Sequence, residues 1–113
     1  MKFMYRYTRV RVWLYRKFFS NIRKLKFTGK ILQATQFIGT GEIFAQNVEL
    51  GVFPSPYFTN GVGYIEARNT TAKIEILDNT FINNNFVMIA DRTKITIGRR
   101  CLIGTNFFVT DSD

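Results

Sequence analysis

The sequence contains no histidine and a single cysteine among its 113 residues. Without histidine, the chain lacks the side chain that most often serves as a general base near neutral pH and as a neutral metal ligand. A histidine-dependent mechanism therefore cannot be assembled from these residues alone. The lone Cys101 excludes an internal disulfide and a cysteine-based zinc site, and no metal site is expected. Cys101 reads by default as a small buried apolar residue in a reducing, cytosolic setting. A reactive thiol is the alternative, because Arg99 and Arg100 stand beside it. Pro54 and Pro56 are the only prolines, which excludes a proline-rich linker. No apolar run approaches the ~20 residues a membrane-spanning helix needs. A signal peptide fits badly, since Arg11, Arg16 and Lys17 would interrupt its apolar stretch.

Acidic residues are missing from the first 30 positions, which carry ten lysines and arginines. The remaining 83 residues hold the other six bases and all eight acids, a net of 6 − 8 = −2. The net charge of +8 therefore belongs to an N-terminal arm on a near-neutral body. Twelve phenylalanines need something to cover them: a core, a partner or a membrane surface.

In the arm, Phe3, Tyr7, Val10, Leu14, Phe18, Ile22 and Leu25 recur at spacings of three and four, with Arg6, Arg9, Arg16, Arg23 and Lys24 opposite. The spacing predicts a basic amphipathic helix over residues 1–30, with Gly29 as its C-terminal cap. Arg11 falls at the apolar edge, Val12 and Phe19 fall among the bases, and residues 5–13 also alternate as a strand would. Three uses of the helix are open. It lies on an anionic membrane surface, on the inner face of the cytoplasmic membrane, with Arg6, Arg9 and Arg16 at the headgroups and Trp13, Phe18 and Phe19 in the interface. It packs on the body or on a sister subunit. It binds nucleic acid, the least favoured partner because no base-reading motif accompanies the basic patch.

The body, residues 31–113, contains a repeat. Residues 73–88 (KIEILDNTFINNNFVM) align without gaps on 94–109 (KITIGRRCLIGTNFFV) at an offset of 21, with six identities in sixteen positions. Within each copy an apolar residue recurs every six: Ile76, Ile82 and Met88, then Ile97, Ile103 and Val109. Neither a helix nor a long strand has that period. It suits short strands separated by turns, each sending one apolar side chain inward to stack on the next layer. The Asn and Gly residues between them suit the turns, and Asn85 is placed to ladder onto Asn106. Residues 38–51 read as an irregular first layer, Val52–Gly61 as a loop, and Tyr64–Ala67 as a strand.

The stretch Ile97–Asn106 resembles the repeat of hexapeptide-repeat acyltransferases. Together with Tyr64–Asn69, Phe81–Phe86 and Val109–Asp113, it resembles their sugar O-acetyltransferase branch, which includes galactoside and maltose acetyltransferases and enzymes of surface-polysaccharide biosynthesis. The likeness covers roughly residues 38–113. It implies an all-β fold, the left-handed parallel β-helix, present here as an incomplete solenoid behind the N-terminal helix. It also implies acetyl-CoA as co-substrate, a saccharide acceptor, and a homotrimer with sites between subunits. In the family a histidine deprotonates the acceptor hydroxyl, and the resemblance places it just beyond Asp113. The chain thus reads as a fragment without its catalytic base, inactive by itself; the alternative is a non-enzymatic membrane-surface or assembly module that uses the basic N-terminal helix. By position, Asn84 matches a sugar-contacting asparagine. Arg92 stands where galactoside acetyltransferase has an acidic sugar contact, and Asp91 beside it can substitute. Asp111 and Asp113 would flank the missing histidine, or cap a turn.

Overall fold

The computed structural model describes residues 2–111, with side chains from Arg6 onward. A helix, α1 (Lys2–Phe18), is followed by ten strands: β1 (Lys24–Ile31), β2 (Thr35–Ile38), β3 (Glu42–Leu50), β4 (Gly63–Ala67), β5 (Lys73–Ile76), β6 (Phe81–Ile82), β7 (Val87–Ala90), β8 (Lys94–Ile97), β9 (Leu102–Ile103) and β10 (Phe108–Thr110). Every pairing between these strands is parallel. One sheet runs β10-β7-β4-β2. The other runs β8-β5-β3-β6-β9, with β1 on the free edge of β3.

The 21-residue offset is the pairing register: Ile74 lies beside Ile95, Ile82 beside Ile103, and Met88 beside Val109. The apolar side chains form columns through the layers. Phe37, Ile65, Met88 and Val109 make one; Ile43, Ile74 and Ile95 a second; Leu50, Ile82 and Ile103 a third. Asn turns join the strands. Asn85 Nδ2 donates to Asn106 Oδ1 at 2.7 Å, and Asn47 Nδ2 to Asn79 Oδ1 at 2.7 Å, each of the four at positive φ. Asparagine tolerates that left-handed backbone and uses its amide to tie one turn to the next.

The expected left-handed β-helix is corrected by this topology. The chain combines a 17-residue helix with two parallel sheets, and the six-stranded sheet is curled, unlike the regular solenoid that the resemblance implies. Strand β3 is the cause. It runs unbroken through the bend at Gln46-Asn47, pairing with β5 at Glu42–Ala45 and with β6 at Glu49-Leu50, and so fuses two faces into one sheet.

The helix also ends earlier than its spacing predicts. Ser20 Oγ donates to Tyr15 O at 2.7 Å and accepts from Phe37 N–H at 3.0 Å, while Asn21 N–H donates to Phe37 O at 3.0 Å. These bonds turn the chain onto the edge of β2. Lys24-Leu25-Lys26-Phe27 then alternates exposed and half-buried as β1 pairs with β3. Gly29 is therefore no helix cap. It sits in β1 at a register shift with φ 126°, where a Cβ would strike the Val48 backbone. Cys101 is half-buried, outside the core.

Candidate functional site

The turn between β7 and β8 gathers three of the sequence-predicted residues. Asp111 stands one layer along and accepts four hydrogen bonds: from Asp91 N–H (2.6 Å), Arg92 N–H (3.3 Å), Thr93 N–H (2.9 Å) and Thr93 Oγ1 (2.6 Å). The Thr93 hydroxyl, and then these backbone donors, hold its carboxyl far below the usual aspartate value of 3.8. The carboxylate is fully used in fixing the turn. Asp91 faces the previous layer, where Asn69 Nδ2 donates to both its carbonyl and its Oδ1 at 2.8 Å. Arg92 Nε lies 3.8 Å from Asp91 Oδ2 and is largely exposed.

This corner continues onto the outer face of β4, through residues that sequence reasoning had quoted without giving them a role. Tyr64 Oη donates to Glu66 Oε1 at 2.8 Å, and Arg68 Nε donates to Glu66 Oε2 at 3.0 Å. Arg68, more than Tyr64, lowers the Glu66 pKa against the opposing effect of partial burial. Burial, reinforced by Glu66, raises that of Tyr64. The signal available in the sequence was the alternation Tyr64, Glu66, Arg68, which puts all three on one face of a strand. The result is a polar surface of ionised carboxylates, guanidinium groups, an amide and a phenol. It can accept from and donate to several hydroxyl groups. Glu66 and Asp111 are held ionised by their partners, so they are weak bases for removing a proton from an alcohol.

Asn84 lies elsewhere, in the turn between β6 and β7. It is fully buried, with Oδ1 accepting from Val52 N–H (3.0 Å) and Nδ2 donating to the carbonyls of Val52 (2.9 Å) and Pro56 (3.0 Å). A saccharide contact at Asn84 would require breaking these bonds. Gln33, also buried, holds the same loop through Tyr57 O at 2.7 Å and accepts from Asn85 N–H at 2.5 Å. From the helix, Arg11 donates to the carbonyls of Thr59 and Gly61. The loop pinned in this way walls a hollow of about 320 Å³ lined by Glu49, Val52, Phe53, Phe81 and Leu102. The hollow continues past Asn83 and Gly104.

Arg6, Arg9, Trp13, Arg16, Phe18 and Phe19 are all exposed, on or just after α1. Asp113 lies outside the described residues. Among the described residues, no group of acids and cysteine suits a metal ion, and no helix is long and apolar enough to cross a membrane. No protein-family model matches the chain, and no curated protein or solved structure is significantly similar to it.

Proposed function

We propose that this chain carries the acceptor side of an acetyl-CoA-dependent sugar O-acetyltransferase. One observation supports the reading most. Segments that carry the resemblance, Tyr64–Asn69 and residues 109–111, meet at one corner with Asp91 and Arg92 between them, joined by Asn69–Asp91 and Asp91–Asp111 hydrogen bonds. In this reading Asp91, Asn69 and Arg92 hold the saccharide hydroxyls, and Asp111 keeps their turn in place. The attacking hydroxyl loses its proton to a base and forms the ester bond at the acetyl carbonyl carbon. The thioester C–S bond breaks and coenzyme A leaves as the thiol. The chain has no histidine, so the base comes from outside these 113 residues. A homotrimer with sites between copies is the assembly this reading implies. The cytoplasm, where acetyl-CoA is available, is the location.

The test is a titration of the chain with a panel of hexoses, hexosamines and short oligosaccharides, read by amide NMR shifts, beside an assay for coenzyme A release. Shifts confined to Asn69, Asp91, Arg92 and Thr93, lost in Asp91→Ala, are expected, with no turnover by the chain alone. Absence of shifts with every saccharide would overturn the reading. Turnover that survives repurification would overturn the assignment of the base.

A further inference from the structure

The structure turns α1 so that most of the apolar stripe suggested by the sequence spacing faces out: Tyr7, Val10 and Phe18 are exposed, and Leu14 is half-buried. The side turned to the protein is Thr8, Arg11, Val12 and Tyr15, with Thr8 fully buried and Arg11 bonded to the loop before β4. Val10, Trp13 and Phe18, from or beside the supposed core stripe, are 56%, 54% and 61% exposed. Packing onto the body therefore does not account for these apolar side chains, and leaving them in water is unfavourable. They sit among cations. Lys17 Nζ is 5.4 Å from the centre of the Trp13 ring, which meets Phe18 edge-to-face at 5.7 Å. At 100° per residue, Arg6, Val10, Trp13 and Lys17 share the outermost 60° of the helix.

The tertiary structure adds a second fact. Helix α1 lies against β2, the first strand of one sheet, and β1 pairs with β3, the first layer of the other. Helix α1 and β1 thus form one terminal layer of the stack. Its nine bases from Arg6 to Lys30, with no acid among them, lie at one end of a body of net charge −2. Charge at that end and exposed aromatic rings beside it make a surface with two attractions for one target. Cations are drawn to anionic headgroups, and Trp, Phe and Val partition into the headgroup–acyl boundary.

We propose that this terminal layer docks the protein on an anionic lipid surface, with α1 in the plane of the interface and Trp13 and Phe18 inserted. A second copy is a poor occupant, because pairing this layer with itself would set nine bases against nine. Nucleic acid would satisfy the charge and leave Val10 and Phe18 without a comparable apolar environment. The proposal does not rest on the transferase reading. Failure of saccharide binding at Asp91 leaves it standing, and its own failure leaves that reading standing.

Trp13 is the only tryptophan, so its fluorescence reports on this face without any substitution. The full chain is mixed with phosphatidylcholine vesicles, with and without phosphatidylserine, and with duplex DNA and single-stranded RNA oligonucleotides. The expected result is a blue shift of Trp13 emission and co-sedimentation only with the phosphatidylserine vesicles, both weakened by salt. Arg6→Gln with Lys17→Gln should lower vesicle affinity about twenty-five-fold, at roughly fivefold per cation. Phe18→Ser should weaken insertion while circular dichroism stays unchanged, since its ring is exposed. Equal binding to neutral vesicles, an unshifted Trp13 spectrum, or tighter binding to an oligonucleotide than to the anionic vesicles would each overturn the proposal.

Discussion

The two ends of the strand stack are built from the same kinds of residue and treated differently. At the first end, β1 covers the edge of β3 and α1 lies against β2, and the columns beneath are sealed: Phe37, Ile43 and Leu50 are fully buried. At the other end, β8, β9 and β10 have no further strand partner among the described residues. Ile103 and Val109, in the Leu50 and Phe37 columns, are only partly buried, Ile95 in the Ile43 column is 9% exposed against 0% for Ile43 and Ile74, and Leu102 is 80% exposed. Burial along each column decreases toward the end that no layer covers. Column membership comes from the repeat, and burial from the neighbour.

The strongest way to test this contrast is to place one charge at two heights of one column. Ile82→Asp should unfold or aggregate the protein, because it buries an unpaired carboxylate, a cost above ~4 kcal/mol. Ile103→Asp, one layer along, should keep the native circular dichroism and lose far less. Equal losses would mean that burial is not graded along the stack.

Glycines offer a milder version of the same test. A Cβ at Gly63 would overlap the buried Phe86 ring, whereas one at Gly104 meets nothing within 4 Å. Gly63→Ala should lower stability by ~1–3 kcal/mol, read from urea midpoints. Gly104→Ala should stay within ~0.5 kcal/mol of the parent.

Asn84→Ala probes the loop. It leaves Val52 N–H and the carbonyls of Val52 and Pro56 without their partner, and should cost ~1–3 kcal/mol. Limited proteolysis should then cut between residues 52 and 61 before anywhere else.

The smallest effect expected is at Asp111 and depends on pH. Its carboxyl is depressed in the folded protein, so its contribution is present above the ordinary aspartate value of 3.8 and fades as pH falls below it. The protection of the Asp91 and Thr93 amides, measured against their intrinsic exchange rates, should fall as the pH drops below that value. Asp111→Asn should exchange faster at neutral pH and show little of this pH dependence.

Much of the strand stack was legible because a repeat copies its own contacts. Six identities at an offset of 21 named the partners of Ile74, Ile82 and Met88, and Asn85 over Asn106 followed from the same alignment. The curled sheet was not legible, because nothing in Phe44–Asn47 marks whether a strand stops or bends at a corner. The helix was overextended for a related reason. Residues 22–27 satisfy a helical spacing at Ile22 and Leu25 and a strand alternation at Lys24–Phe27, and β3 was there to pair with. Two of the three departures from the helical pattern, Arg11 and Val12, lie on the face that packs, while Phe19 is exposed. At the candidate site, Asp91, Arg92 and Asp111 were named from position, while Asn69 and the Tyr64–Glu66–Arg68 group needed the layers to bring them together.

From the sequence alone came the basic arm, the absence of histidine, the inward apolar positions and the layer register. Each is a property of composition or of short-range period, and survives any arrangement of the rest. The tertiary structure alone decided which side of α1 faces the protein, where the charge gathers, and that Asn84 and Asp91 serve different corners. Those outcomes depend on partners distant in sequence. The Thr59 and Gly61 carbonyls reached by Arg11, and the Val52 amide reached by Asn84, are backbone groups that any residue could supply.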